Sequence, residues 1–115
     1  MSKELSDTVK INKSAYEAEQ KPYVLRLFVT GILPKSLRSI INAKAICEKY
    51  LKDKYELEII DIYQQPELAL KEDTIAVPLL IKKSPLPERR LIGDLSNIEK
   101  VLNGLGIVSL TLILL

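Results

Sequence analysis

Two apolar stretches separated by a helical pattern constrain the fold of this chain more than any other feature. Tyr23 to Thr30 (YVLRLFVT) and Tyr55 to Tyr63 (YELEIIDIY) read as β-strands, and the first is apolar at nearly every position, which is typical of a sheet interior. A strand–helix–strand connection is almost always right-handed and joins parallel strands. Between the strands, apolar residues recur at helical spacing from Ser36, a candidate N-cap, to about Lys54: Leu37, Ile40, Ile41, Cys47 and Leu51.

The second half of the chain predicts two further helices and two further strands. PELALKED (66–73) reads as a short helix with proline at its start. Ile75 to Lys82 and Arg89 to Ile92 read as the third and fourth strands, and SNIE (96–99) reads as a capping box that opens a helix toward Gly104. The predicted order, β-α-β-(α)-β-β-α, is the thioredoxin-like arrangement of the α/β class.

Pro78 stands in the middle of the predicted third strand, where proline is unfavourable because it has no N–H for the ladder. Thioredoxins carry a cis X–Pro bond at this strand, opposite a Cys-x-x-Cys at the start of the first helix. Similarity to that fold therefore implies a cis bond before Pro78. Leu33 and Ser36 stand where the two sulfurs would be, so thiolate chemistry is excluded there.

The residue types present exclude most familiar enzyme designs. With one cysteine and no histidine, the chain makes neither an internal disulfide nor a cysteine-based zinc site, and it lacks the commonest general base. A lone cysteine on the apolar stripe of a helix, such as Cys47, is predicted to be a core residue rather than a reactive thiol. We therefore expect a protein that is not an enzyme and that has no cofactor or metal site.

The 115 residues predict one domain at 21–106, between a polar arm (1–20), predicted to be mobile, and an apolar tail (107–115, IVSLTLILL). The N-terminus does not resemble a signal peptide, which predicts a cytoplasmic protein. The tail is too short to span a bilayer, and we expect it to be buried, either against its own core or, as we favour, in the interface of a dimer or tetramer. The residues predicted for that oligomer interface are Arg89, Arg90, Leu110, Leu112 and Leu114.

Charge is segregated along the chain. Residues 21–54 carry eight Lys/Arg against two Asp/Glu, whereas residues 55–75 carry one against six. This bipolarity suits association between proteins, although two solvated faces that merely differ would give the same pattern. Arg89 and Arg90 fit either a solvent-facing strand or a salt bridge between subunits to the acidic region. Nucleic acid is disfavoured as a partner because aromatic residues for base stacking are few.

Several stretches resemble the KaiB family of circadian-clock proteins, without gaps over roughly Lys21 to Leu105. They are YVLRLFVTG, the Pro34-x-Ser36 pair, IIDIYQQPELA, AVP and, most specifically, RRLIGDLSNIEKVLNGL. The resemblance implies a non-enzymatic protein that binds KaiC, a ring-shaped ATPase of the RecA type, and modulates its phosphorylation state and timing. It also implies two folds, a self-associated ground state and a thioredoxin-like monomer, between which the C-terminal half rearranges.

Two sets of residues are candidates for the functions that the resemblance implies. A fold-switching role falls on Pro78, Pro85, Pro87, Gly104 and Gly106, and we hypothesise that slow X–Pro isomerisation sets the rate of the switch and that the two glycines supply backbone freedom. The KaiC-type partner is expected to contact Arg38, Lys44, Glu56, Glu58 and Lys82.

Departures from the family pattern indicate a divergent, non-cyanobacterial homologue. Glu56 and Glu58 replace a small residue and a lysine, which reverses charge at the expected docking surface. A role in stress adaptation with a KaiC-like partner is therefore an additional hypothesis. The alternatives are a redox-inactive thioredoxin relic that carries a small ligand or acts as a chaperone, and a sensor module like the KaiB-like domain of a clock histidine kinase.

Overall fold

The computed structural model describes residues 22–74 and 76–107, which form one four-stranded sheet with helices on both faces. The predicted order of elements and the α/β class are confirmed. Within these residues, no helix combines the length and the apolar character that crossing a membrane requires. The elements are β1 (Tyr23–Val29), α1 (Pro34–Tyr50), β2 (Tyr55–Asp61), α2 (Pro66–Lys71), β3 (Leu79–Ser84), β4 (Arg89–Ile92) and α3 (Ile98–Leu105).

Strand β1 lies inside the sheet, whose strand order is β2-β1-β3-β4. It runs parallel to β2, with Tyr23 opposite Tyr55, as the predicted right-handed crossover requires. It runs antiparallel to β3, which in turn pairs antiparallel with β4. A strand with neighbours on both sides and helices on both faces is largely buried, from Leu25 to Val29 except at Arg26, and this explains why β1 is apolar at nearly every position.

The two faces of the sheet have separate cores. On the side that we call the α1/α3 face, alternate residues of β1 point toward α1 and α3. On the opposite side, the α2 face, a smaller group packs beneath α2. The buried residues of the α1/α3 face are Leu25, Leu27, Val29, Ala43, Ile46, Cys47, Leu51, Leu80, Leu95, Val101, Leu102 and Leu105, and those of the α2 face are Phe28, Ile60, Leu79 and Ile81.

The apolar face predicted for α1 was wrong at Leu37 and Ile41, which are 45% and 66% exposed. Ser36 and Ser39 are buried in their place, because both hydroxyls find partners inside the protein. The Ser39 hydroxyl donates to the Ser36 carbonyl at 2.6 Å. Hydrogen bonds of their hydroxyls therefore allow Ser36 and Ser39 to be buried, while Leu37 and Ile41 face solvent.

The ends of α1 also differ from the prediction. Ser36 is not the N-cap, since the helix begins at Pro34 after Leu33, and the Ser36 hydroxyl accepts a hydrogen bond from the Thr30 N–H at 3.0 Å. Helix α1 ends at Tyr50 rather than near Lys54. A proline in the first turn removes an N–H that has no partner inside a helix, so a side-chain cap is less needed.

Strand β3 begins at Leu79, so Pro78 lies before the strand and not in its middle, which resolves the conflict in the sequence. The Val77–Pro78 bond is cis, as the similarity to thioredoxins implied. The Pro78 carbonyl accepts a hydrogen bond from the Gly93 N–H at 2.9 Å. The strand continues to Ser84 rather than ending at Lys82, and β2 ends at Asp61 rather than Tyr63.

Helix α3 is capped by Asn97, not by Ser96. The Asn97 side chain accepts a hydrogen bond from the Lys100 N–H at 3.1 Å, whereas the Ser96 N–H donates to the Asp94 carboxylate at 3.0 Å. Asp94 therefore forms the turn in front of the helix, and the cap moves by one residue.

The predicted arm and most of the predicted tail lie outside the described residues. The same holds for three of the predicted interface residues, Leu110, Leu112 and Leu114. The division of the chain into an arm, a domain at 21–106 and a tail stays a prediction.

Candidate interaction surface

The predicted partner residues of α1 lie on its solvent-facing side. Lys44 is exposed, and Arg38 is half-exposed with its Nε 3.3 Å from the Asp94 carboxylate. Asn42, one turn further along, donates from its side-chain amide to the Asp94 carbonyl at 2.8 Å. Hydrogen bonds from Ser96 and the nearby Arg38 guanidinium hold the pKa of Asp94 below its usual value. Arg38 is thus held in place by the loop before α3 and keeps a face toward solvent.

Glu56 and Glu58 lie on the opposite side of the sheet from Arg38. Side chains alternate along β2: Leu57 packs against the α1/α3 core, whereas Ile60 belongs to the α2 core. The two glutamates share the side of Ile60, and both are exposed. Since β2 ends the strand order, they stand on an edge strand of the described sheet. The structure does not bring the α1 pair and the β2 pair into one site.

Lys82 is buried, at 4% exposure, although the resemblance placed it among the partner contacts. Its ammonium group donates to the carbonyl of Leu105, the last residue of α3, at 3.3 Å and lies 5.8 Å from the centre of the Tyr23 ring. Burial, followed by repulsion from Arg89, lowers the pKa of Lys82. A direct contact with a partner stays a prediction, and it requires the end of α3 to move.

A charged cluster on the α2 face was missed in the sequence. The Glu72 side chain is only 9% exposed, and its carboxylate lies 3.0 Å from Arg26 and 3.0 Å from Lys83. Arg90 donates to the Glu72 carbonyl and lies 3.9 Å from the carboxylate. Arg26 also pairs with Glu58 at 3.4 Å. No local spacing reveals this cluster, because its members come from β1, β3, β4 and the turn after α2.

Arg90 of β4 thus makes contacts within the chain. Arg90 reaches the predicted acidic region, at Glu72, and its guanidinium also donates to the Asp73 carbonyl at 3.4 Å. The salt bridge expected between subunits is therefore present inside one chain for Arg90. The role of Arg89, which is exposed, and of Arg90 in an oligomer interface stays a prediction.

The corner that holds two sulfurs in thioredoxins has no thiol here. Leu33 is 56% exposed and Ser36 is buried with its hydroxyl bonded to Thr30. Pro78 lies at the same end of the sheet, because Leu79 pairs with Phe28 at the end of β1. The chain's cysteine, Cys47, is 2% exposed, and burial together with Glu48 raises its pKa to about 11. The predicted core role of Cys47 is confirmed.

The predicted switch residues occupy three different settings. The Ser84–Pro85 and Leu86–Pro87 bonds are cis, like Val77–Pro78, and lie in the turn between β3 and β4. Gly106 ends α3 in the left-handed conformation (φ 74°), where glycine is favoured. Gly104 has a packing role instead of the expected backbone freedom, since a Cβ there would lie 2.5 Å from a methyl group of Leu91. Their part in a fold switch stays a prediction.

Comparison with known proteins identifies the family. The KaiB domain matches residues 26–107. The chain is 49% identical over 85 residues to circadian clock protein KaiB3 of Synechocystis, covering 74% of this chain and 83% of that protein. It is 45% identical over 91 residues to circadian clock oscillator protein KaiB of Prochlorococcus marinus, covering 79% and 84%. The predicted non-cyanobacterial origin stays a prediction.

Solved structures confirm the thioredoxin-like fold. The N-terminal domain of Synechococcus elongatus SasA superposes with a TM-score of 0.61 at 26% identity, over 75% of this chain and 85% of that one. Chloroplastic thioredoxin z superposes with a TM-score of 0.60 at 16% identity, over 77% and 82%. The fold is therefore shared with thioredoxins, and the sequence match is to clock proteins. The chain belongs to the KaiB family.

Proposed function

We propose that this chain is a non-enzymatic regulatory protein that binds a KaiC-type ring ATPase in the cytoplasm and modulates its phosphorylation state and timing. The observation that carries the proposal is the 49% identity to KaiB3, over 83% of that clock protein. The buried, single cysteine supports it, because a thioredoxin-like fold without an accessible thiol pair is suited to binding rather than to redox turnover.

The exposed side of α1 is the surface best suited to this partner. Arg38 and Lys44 present two positive charges on one helix, and Asp94 fixes the direction of the Arg38 side chain. A rigid helix that carries charges oriented in advance favours a complementary acidic surface. Glu56 and Glu58, on the other side of the sheet, offer a second, acidic surface to a different part of the same assembly or to a second partner.

Binding to a hexameric KaiC-type ATPase with bound nucleotide tests the proposal. We expect the Arg38→Glu, Lys44→Glu double variant to bind at least about tenfold more weakly, because two attractive charges become repulsive. The matched control is Glu67→Lys on exposed α2, which reverses charge away from the proposed surface and should bind as the unaltered chain does. The phosphorylation state of the ATPase, followed over time, should change only when binding occurs.

Two outcomes would contradict the proposal. Absence of binding by the unaltered chain to the KaiC-type ATPase of its own organism would reject the partner. Equal loss of affinity in the double variant and in the Glu67→Lys control would reject the α1 surface but leave the partner in place.

A further inference from the structure

Helix α1 carries an apolar ridge along its solvent-facing side. Leu37 and Ile41 are 45% and 66% exposed, and Ala45, also exposed, continues the same row at an interval of four residues. Leu33, the residue before the helix and 56% exposed, extends the row at its start. Residues four apart lie on one side of a helix, so these side chains form one continuous ridge. We call Leu33, Leu37, Ile41 and Ala45 the α1 ridge.

Ile41 points directly away from the sheet. Since each residue turns a helix by about 100°, Ser39 and Ala43 lie about 160° from Ile41 in either direction, and both are buried. Arg38 and Lys44, both exposed, lie about 60° from Ile41, one on each side. The α1 ridge is therefore an apolar row between two cations.

The charges on the exposed side of α1 are mostly positive. Glu48 is the one exposed carboxylate of the helix, and it already accepts a hydrogen bond from the Tyr55 hydroxyl at 3.1 Å. An excess of positive charge around an apolar row favours a docked surface that carries carboxylates around its own apolar centre. The exposed cations of α1 are Lys35, Arg38, Lys44 and Lys49.

A protein surface fits this arrangement better than an anionic membrane does. The Arg38 side chain is held in one direction by Asp94, whose carboxylate lies 3.3 Å from the Arg38 Nε. An oriented guanidinium suits a carboxylate at a fixed position, which a protein provides. Glu48 lies about 20° from Ile41 around the helix, about two turns further on, so a membrane bound along the ridge would bring anionic headgroups against this carboxylate.

The shape of the α1 ridge favours a helix as the docked element. Rows of residues four apart are the ridges that pack into the grooves of a second helix where two helices cross. From Leu37 to Ala45 the row rises about 12 Å, which is about two turns of α1. The small side chain of Ala45 lets the second helix come close at that end.

We propose that the α1 ridge is the apolar centre of the contact with the KaiC-type ATPase, and that the docked element is a helix of that ATPase with apolar residues between Asp or Glu side chains. The inference rests on the proposed function. It adds to the cations of α1 a desolvated centre, whose contacts should contribute more to affinity than those of the exposed rim. The cations orient the partner and accelerate its approach.

Affinity for the hexameric ATPase with bound nucleotide tests the α1 ridge. Ile41→Ser removes an apolar side chain without a change of charge, and we expect it to weaken binding at least about tenfold, mainly through faster dissociation. Leu70→Ser on α2 is the matched control, since Leu70 is 79% exposed and lies on the other face of the sheet, and it should bind as the unaltered chain does. Circular dichroism checks that each variant folds, and Leu37→Ser replaces Ile41→Ser if that variant does not.

Salt distinguishes the ridge from the charges beside it. The loss of affinity caused by Ile41→Ser should stay nearly constant when sodium chloride is raised from about 0.1 M to about 0.5 M, because the change removes no charge. The loss caused by the Arg38→Glu, Lys44→Glu double variant should shrink over the same range, because screening weakens the repulsion that it introduces.

A photoreactive crosslink identifies the docked element. Ala45→Cys at the end of the ridge, with Cys47→Ala, is labelled with benzophenone maleimide and irradiated in the complex. The captured peptide of the ATPase should come from a helix that has Asp or Glu beside its apolar residues. The same label on Leu70→Cys, with Cys47→Ala, should not capture that peptide.

The outcomes separate this inference from the proposed function. Absence of binding by the unaltered chain overturns both. Binding by the unaltered chain that Ile41→Ser and Leu37→Ser retain in full overturns the inference alone, and so does a captured peptide without carboxylates. Sedimentation of the unaltered chain, but not of Ile41→Ser, with vesicles of phosphatidylcholine and phosphatidylglycerol would show that the ridge binds a membrane and would also overturn the inference.

Discussion

The α1/α3 face of the sheet encloses twelve buried apolar side chains together with the buried Ser36, Ser39 and Lys82, whereas the α2 face buries four apolar side chains and places beside them a carboxylate that meets three cations. Two α-helices cover the first face, and one short helix of six residues covers part of the second. Burial of apolar surface depends little on moderate concentrations of sodium chloride, whereas an ion-pair cluster is weakened by screening. The two faces should therefore respond to different perturbations, and the following experiments examine this expectation.

Truncation of a leucine on each face should produce the largest effect. Leu27, fully buried on the α1/α3 face, and Leu79, 2% exposed on the α2 face, lie on neighbouring strands. We expect Leu27→Ala to reduce the free energy of unfolding by about 2–5 kcal/mol, the range for buried leucines, and Leu79→Ala to fall at the lower end because its smaller cluster can collapse more easily. Urea denaturation of both variants measures the free energy of unfolding. A larger loss for Leu79→Ala than for Leu27→Ala would contradict the prediction that the α1/α3 core contributes more to stability.

Removal of the Glu72 charge should have an intermediate effect. Glu72→Gln leaves Arg26 and Lys83 facing a neutral amide, and we expect a loss of about 1–3 kcal/mol, below that of a fully buried pair because both cations are about a third exposed. Glu58→Gln, 56% exposed, is the control and should change stability by less than about 1 kcal/mol.

Salt sharpens the same test. Added sodium chloride should reduce the difference in free energy of unfolding between Glu72→Gln and the unaltered chain, because screening weakens the Glu72 ion pairs that only the unaltered chain has. Added salt should leave the difference in free energy of unfolding between Leu27→Ala and the unaltered chain nearly unchanged. If the loss of stability caused by Glu72→Gln does not change with salt, then hydrogen bonding or packing, and not charge, holds the cluster together.

The ionisation of Cys47 in the α1/α3 core should have no effect near neutral pH and should lower stability only above about pH 9. Its pKa is raised from 9.0 to about 11, so the folded protein keeps the thiol protonated at pH values where the unfolded chain loses the proton. The stabilisation is therefore fully present below pH 9 and is lost as pH rises from 9 toward 11, by at most about 1.4 kcal/mol per pH unit. The difference in stability between the unaltered chain and Cys47→Ala, measured across this range, isolates the effect from other titrating groups.

A thiol reagent offers an independent readout for Cys47. Because burial raises the pKa of the Cys47 thiol to about 11, few folded molecules carry the thiolate at pH 8, and labelling should be slow until the protein unfolds. Rapid labelling of the native protein would show that the α1/α3 core opens more readily than its burial suggests.

Local patterns in the sequence determined the elements and their order. The apolar runs YVLRLFVT and YELEIIDIY and the helical spacing between them predicted the crossover, because run length and periodicity reflect local backbone geometry. The fold class and the family resemblance followed from the same residues and are confirmed. The ends of the helices were less predictable. Serine is a common N-cap residue, yet Leu33 and Asn97, not Ser36 and Ser96, occupy the cap positions.

Only the tertiary structure decided which residues meet. Pro78 is compatible with the sheet because β3 begins one residue later, at Leu79. Lys82 is buried because the end of α3 covers it and its ammonium group donates to the Leu105 carbonyl. The ion pairs of the Glu72 cluster join residues up to 46 positions apart in the sequence. Leu37 and Ile41 face outward, whereas Ser36 and Ser39 are buried with hydrogen-bonded hydroxyls. The physical reason is common to all four: backbone periodicity is a local property, whereas burial and charge pairing depend on partners that only the folded chain brings together.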